Sequence, residues 1–142
     1  MKKIVLISCV SKKRRYKCQA RDLYTSPLFE KSLEYAQRLN PDAIFVLSAK
    51  HGLLDLDTEV EPYDATLNHA SARHMRAWAD NVLKQLSERA DLRRDHFILL
   101  AGLKYRRHLI PHLASYEVPL EGLTIGRQLQ RLSKRSHEPD LL

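Results

Sequence analysis

The sequence predicts an α/β fold, a three-layer sandwich around a short, mostly parallel central sheet, and three observations carry that expectation. Residues 3–10 (KIVLISCV), 43–48 (AIFVLS) and 96–101 (HFILLA) are apolar, β-branched runs with the unbroken hydrophobicity of strands covered on both faces. Between the first two, Phe29, Leu33, Ala36 and Leu39 recur at helical spacing; between the second and third, Met75, Trp78, Val82 and Leu86 do the same. The chain has 142 residues, 44% of them hydrophobic, which is enough for one adequate core and therefore for a single domain over 1–142.

The elements follow in order. The first run begins behind Met1-Lys2-Lys3 and stops at Val10, too short for a membrane span and without a small-residue cleavage site, so a cytoplasmic protein with no membrane partner is expected. Cys9 and Cys18 form neither a CxxC pair nor a disulfide framework. The first helix stops at Asn40-Pro41, because a proline pushes the residue before it out of the helical region. The second helix keeps Arg73, Arg76, Lys84 and Glu88 off its apolar face. Beyond Gly102, residues 103–116 read as a helix that Pro111 kinks or splits. One more strand is expected near 117–120, and Leu123, Ile125, Leu129 and Leu132 suggest a terminal helix. The tail from about 133, which contains Pro139, is expected to fray.

Lys and Arg number 24 against 17 Asp and Glu, a net charge of +7 that favours phosphate-bearing partners, with nucleic acid foremost. In parallel sheets ligands collect beyond the carboxyl ends of the strands, which directs attention to the loops opening at Ser8, Ser48 and Ala101. The first, 11–26 (SKKRRYKCQARDLYTS), carries Lys12, Lys13, Arg14, Arg15, Lys17 and Arg21 with Tyr16 and Tyr24 interleaved, a mixture suited to binding backbone and bases. It lacks the GxxxxGK[ST] arrangement of a nucleotide triphosphatase. The second, 48–67 (SAKHGLLDLDTEVEPYDATL), sets Lys50 and His51 behind the strand and follows them with Asp55, Asp57, Glu59, Glu61 and Asp64. Unlike ionisable groups gathered in this way suit acid/base chemistry. Gly52 permits a positive-φ turn and Pro62 stiffens the approach to Tyr63 and Asp64. In the third, 101–107 (AGLKYRR), a glycine after a buried strand lets a helix amino terminus approach an anion, with Tyr105 and Arg106 in reach. His108 and His112 have the i, i+4 spacing of metal ligands, but Pro111 interrupts the helix that would align them; neither a metal nor a cofactor is expected. Near the end, 119–127 (PLEGLTIGR) places Glu121 and Arg127 around two glycines.

In this order SCVSKK, DLYTSPLFEKS, VLSAKHGLL, EPYDATL, LAGLKYRRHL and PLEGLTIG resemble a compact bacterial and phage-associated family formerly known only as a domain of unknown function. That family is similar to the YaaA peroxide-stress proteins, to the middle domain of archaeosine synthase and, through them, to the uracil-DNA glycosylase fold. The resemblance runs from Ile4 to about Leu132, and LSAKHGLL followed by EPYDATL is its most specific pair. It implies base excision or modified-base chemistry, including defence glycosylases that act on hypermodified cytosines in phage DNA. The matching positions are Ser8, Cys9 and Lys12; Asp22, Tyr24, Ser26 and Pro27; Ser48, Lys50, His51 and Gly52; Pro62, Tyr63 and Asp64; Gly102 and Tyr105; and Glu121, Gly122 and Gly126. The water-activating and leucine-loop motifs of standard uracil-DNA glycosylases are absent, which argues against uracil as the substrate.

The reaction so implied is hydrolysis of the N-glycosidic bond of a modified base in DNA, with the target nucleotide flipped out of the stack and an abasic site left behind. Such a site needs a carboxylate near C1′ and a donor near the departing base. Asp64, with Asp22 second, is expected to be the carboxylate, and Lys50 and His51 to polarise the base. Tyr24 or Tyr63 would stack on it, within a pocket that includes Ser8, Cys9, Ser26, Ser48, Tyr105 and Glu121. Lys12, Lys13, Arg14, Arg15 and Arg106 would hold nucleic acid. Attack by Lys50 at C1′ to give a Schiff base is the variant mechanism. A modified-base enzyme acting on transfer RNA and a non-enzymatic, YaaA-like DNA-binding protein are the alternatives.

Overall fold

Ile4, Val5, Leu6 and Ile7 are fully buried, and the strand they build, β1 (Lys3–Ser8), occupies the middle of the sheet. The computed structural model describes residues 1–8 and 12–134. β1 is flanked on both sides by parallel strands, β3 (Ala43–Ser48) and β6 (His96–Leu100), in a register that sets Leu6 between Phe45 and Leu99. Two edges complete a five-stranded sheet of order β4-β3-β1-β6-β7: β4 (Gly52–Asp55) runs antiparallel to β3, and β7 (Ser115–Glu117) runs parallel to β6. A separate two-stranded ribbon pairs β2 (Cys18–Gln19) with β5 (Glu59–Val60). It is followed and tightened by the single-turn helix α1 (Ala20–Leu23), whose Ala20 and Arg21 amides donate to the Thr58 and Leu56 carbonyls.

The expected crossover helices are present. α2 (Pro27–Arg38) starts where Ser26 accepts a hydrogen bond from the Phe29 amide and Pro27 supplies a pre-set φ, and it buries Phe29 and Ala36. α3 (Ala72–Ser87) is capped by Ser71 and buries Trp78, Ala79, Val82, Leu83 and Leu86. Crossovers between parallel strands are right-handed in nearly all cases. Stepping from β1 to β3 in one direction and from β3 back across to β6 in the other therefore sets α2 and α3 on opposite faces. α5 (Ile125–Ser133) packs beside α2, giving an α/β architecture with a mostly parallel central sheet flanked by helices, compatible with a three-layer sandwich. No helix among the described residues is long and apolar enough to cross a membrane.

Three expectations are corrected. The stretch 48–67 is not all loop: a turn at Ala49–His51, closed by Gly52 at φ 77°, sends the chain back as β4. Gln85 holds that turn, accepting from the Leu53 amide and donating to the His51 carbonyl. The helix expected over 103–116 is only one turn, α4 (Leu103–Arg106), followed by a 3-10 turn at Ile110–His112. Leu109 and Leu113 are buried as their apolar spacing requires, but Pro111 has no amide to extend the helical ladder, and Ser115 and Tyr116 pair with β6 instead. The additional edge strand is thus Ser115–Glu117 rather than 117–120. Val10, the expected end of the first strand, and the tail beyond 134 lie outside the described residues.

Candidate functional site

The sheet order reverses between β1 and β6, since the connections that leave these central strands run in opposite directions. At such a switch point the loops diverge and leave a crevice outside the carboxyl ends of the strands. A cleft of about 720 Å³ opens there, with Ser8 at the end of β1 and Leu100 and Ala101 at the end of β6 forming its floor. The first turns of α2 and α5 contribute Leu28, Phe29, Ile125 and Gln128, and α4 presents Leu103, Lys104, Tyr105 and Arg106. The positive ends of two multi-turn helices thus border the cleft. The Gly102 amide at the α4 boundary donates to the Ser8 hydroxyl at 3.3 Å, tying the ends of the two central strands together.

Among the described residues the cations that line this space are Lys13, Lys104 and Arg106. Arg106 is held in place, one guanidinium nitrogen donating to the Ala101 carbonyl at 2.8 Å and the other lying 3.5 Å from the Glu121 carboxylate. Lys104 donates to the Asn68 carbonyl, which fastens the opposite lip. Among the described residues Asp64 is the one carboxylate in the lining. It is exposed and sits in a short segment pinned at both ends, because Tyr63 and Leu67 are buried while Asp64, Ala65 and Thr66 face outward into the cleft. Leu103 and Ile125, 57% and 60% exposed, give the mouth an apolar rim.

Beside the cleft, over β1 and β3, lies a packed polar block. The Tyr63 hydroxyl is 2.8 Å from that of Tyr24 and accepts from the Ser48 hydroxyl at 2.8 Å. Ser48 in turn accepts from the Lys50 and His51 amides, and its carbonyl receives the Trp78 indole N–H at 2.8 Å. Trp78 meets Tyr105 edge-on at 5.5 Å, which carries the same block to the back of α4. Lys13 joins the two regions: it lines the cleft, and its ammonium stands 4.4 Å above the Tyr63 ring centre and 5.9 Å from that of Tyr24, within cation–π range. His51 sets its ring edge-on to Tyr63 at 5.5 Å. Desolvation, with the neighbouring Lys50 charge adding to it, lowers the His51 pKa below 6.5, so the imidazole is neutral at pH 7.

The residues singled out in the sequence separate accordingly. Ser8, Lys13, Asp64, Tyr105 and Arg106 line the cleft together, and Glu121 reaches its margin through Arg106. Tyr24, Ser48 and Tyr63 form the buried block behind Lys13, and Ser26 caps α2. Lys50 and His51 sit in the β3–β4 turn, outside the lining. Asp22 is exposed on α1, with its carbonyl accepting from Arg14, and it too is outside the lining. Lys12, Arg14 and Arg15 are exposed next to Lys13. Cys9 lies outside the described residues.

Sequence reasoning passed over Lys104, Thr66, Asn68, Gln128 and the rim residues Leu103 and Ile125. Lys104 had a signal, since it lies between Gly102 and Arg106 on one helical turn. Among the described residues no three His, Cys, Asp or Glu side chains converge as metal ligands. The cations instead suit a phosphorylated ligand, and the exposed carboxylate is open to a bound molecule.

No curated protein and no solved structure matches the chain significantly. Residues 4–134, nearly its whole length and every element of the cleft, match the family of unknown function DUF6884, and the chain belongs to that family.

Proposed function

We propose that this protein is a cytoplasmic N-glycosidic hydrolase with a uracil-DNA glycosylase-like fold, which removes a modified base from nucleic acid, DNA in preference to RNA, and leaves an abasic site. The observation that carries this reading is that Asp64, the one carboxylate in the lining among the described residues, shares a switch-point cleft of about 720 Å³ with Lys13, Lys104 and Arg106. That volume is within the range of clefts that enclose small organic ligands, and a flipped nucleotide needs this combination of cationic and apolar walls.

In the proposed reaction the bond between C1′ and the base nitrogen breaks, its electron pair leaves with the base, and the sugar becomes oxocarbenium-like. Asp64 stabilises that developing charge and directs a water to C1′, whose proton it accepts. Lys104 and Arg106 hold the flanking phosphates. The donor to the departing base is then Lys13, fixed over the Tyr63 ring, in place of Lys50 and His51, which the lining does not include. Leu103 and Ile125 would cover the base faces, and Asn68 and Gln128 would read its edge.

The test is incubation with unmodified DNA, with phage-type DNA carrying hypermodified cytosines and with transfer RNA, followed by detection of free base and alkali-labile sites. Release from the modified DNA is expected, and Asp64→Ala should slow it by at least about 100-fold. Undiminished release by that variant refutes the carboxylate role. Activity on RNA alone would make this a transfer-RNA enzyme, and binding of every DNA without release would make it a YaaA-like binding protein.

A further inference from the structure

The basic loop contains two tyrosines, and the structure gives them opposite fates. Tyr24 is buried against Phe29, ring centres 5.0 Å apart, while Tyr16 is 60% exposed. An exposed aromatic ring of that size has lost the hydrophobic stabilisation that burial would bring, yet its surroundings hold it out. The Thr25 amide donates to the Lys12 carbonyl, Lys13 bridges antiparallel to Tyr24, and the Arg14 amide donates to the Leu23 carbonyl at 2.8 Å. Arg14 adds a third tie through its Nε to the Asp22 carbonyl, and its Nη1 reaches the Tyr16 hydroxyl at 3.4 Å. Residues 12–14 are thereby laced to 22–25, and Tyr16 stands just past the last rung.

Charge around the ring is predominantly positive. Lys12, Arg14, Arg15 and Lys17 are all exposed, and among the described residues only Lys17 of these four forms an ion pair, with Glu59 at 3.8 Å. Lys13, three residues from Tyr16 and so within about 10 Å along the chain, points into the cleft. A polyanion following the cations would thus leave the cleft directly past an available aromatic face. Stacking on that face requires a base whose own faces are free, which an intact duplex withholds and a single strand offers.

We propose that Tyr16 is a stacking platform for an unpaired base beside the cleft, and that the substrate is single-stranded nucleic acid or a locally opened strand. This rests on the nucleic-acid reading of the cleft and specifies its substrate class. The experiment is fluorescence anisotropy with a labelled, unmodified single-stranded oligonucleotide and with its duplex, for the wild-type chain, Tyr16→Ala and Tyr16→Phe. The single strand should bind more tightly than the duplex. Tyr16→Ala should weaken single-strand binding about tenfold and duplex binding far less, while Tyr16→Phe retains wild-type affinity. Unchanged single-strand affinity in Tyr16→Ala, an equal loss for both substrates, or a Tyr16→Phe variant as weak as Tyr16→Ala each overturns the proposal. Base release is assayed separately. Tyr16-dependent binding without release removes the hydrolase reading and leaves this one standing, whereas release with Tyr16-independent binding does the reverse.

Discussion

Replacing Tyr63 with phenylalanine isolates the polar block beside the cleft. The substitution keeps the ring and removes one oxygen, and with it the contacts at 2.8 Å to both the Tyr24 and Ser48 hydroxyls. Each buried hydrogen bond contributes about 1 kcal/mol net, so Tyr63→Phe should cost about 2 kcal/mol. For a chain of this size each kcal/mol moves the midpoint by about 4 °C, so Tm should fall by about 8 °C. Urea unfolding followed by circular dichroism gives the free energy, and thermal melts give Tm. The Lys13 ammonium still finds an aromatic face at 4.4 Å, so oligonucleotide affinity should stay within about twofold. Because Ser48 and Tyr63 share a bond, Ser48→Ala and Tyr63→Phe combined should cost less than the sum of the two, by about 0.5 kcal/mol or more. A loss below about 0.5 kcal/mol for Tyr63→Phe, or strictly additive losses in the pair, would refute the coupled hydrogen bonds as a source of stability.

Two further outcomes follow from charged groups. The buried Asp95 carboxylate accepts the backbone N–H groups of Asp91 and Lys2, both at 2.8 Å, and these bonds hold its pKa below the ordinary 3.8. A depressed carboxylate pKa stabilises the fold fully above the unfolded value and loses that contribution as pH falls through the folded one. Asp95→Asn should therefore cost about 2 kcal/mol in urea unfolding at pH 7. The gap from wild type should begin to narrow near pH 4 and vanish only once pH has fallen below the depressed folded-state pKa, and a gap independent of pH would show that the charge is not the cause. Lys104→Ala, on the cleft lip, should weaken single-strand binding and lower the slope of log affinity against log salt by about 0.7, the increment for one phosphate contact; an unchanged slope places the phosphate elsewhere.

The sheet's centre was legible because β1, β3 and β6 are buried on both faces, and only unbroken apolar runs survive there. α2 and α3 were legible from one apolar stripe each. β4 was not, since four residues alternating buried and half-buried carry too short a period to stand out within a charged stretch. The failure over 103–116 has a different origin: Leu109 and Leu113 keep helical spacing because both are buried, while the backbone between them turns more tightly. In the candidate site, Asp64, Lys13, Tyr105 and Arg106, all singled out in the sequence, line one cleft, the last two from the helical turn α4 and not from a loop. Sequence could not tell which way a charge points from a turn, and so it grouped Lys50 and His51 with Asp64 although β4 intervenes between them. Cleft walls built from helix first turns, such as Ile125 and Gln128, escape a reading that looks for ionisable clusters.

The segment between Tyr63 and Leu67 has a consequence for how such a chain diversifies. Its two buried ends carry the packing, so the three residues between them are free of it. With Asp64 kept for the reaction, exchanges at Ala65 and Thr66 can alter what meets the ligand with little effect on folding, whereas a change at either anchor is felt through the whole core. A protein built in this way can acquire a new target in few mutational steps while its scaffold stays the same. Sequence differences concentrated at 65 and 66 beside an unchanged Asp64 would mark divergence of specificity, not decay of the fold.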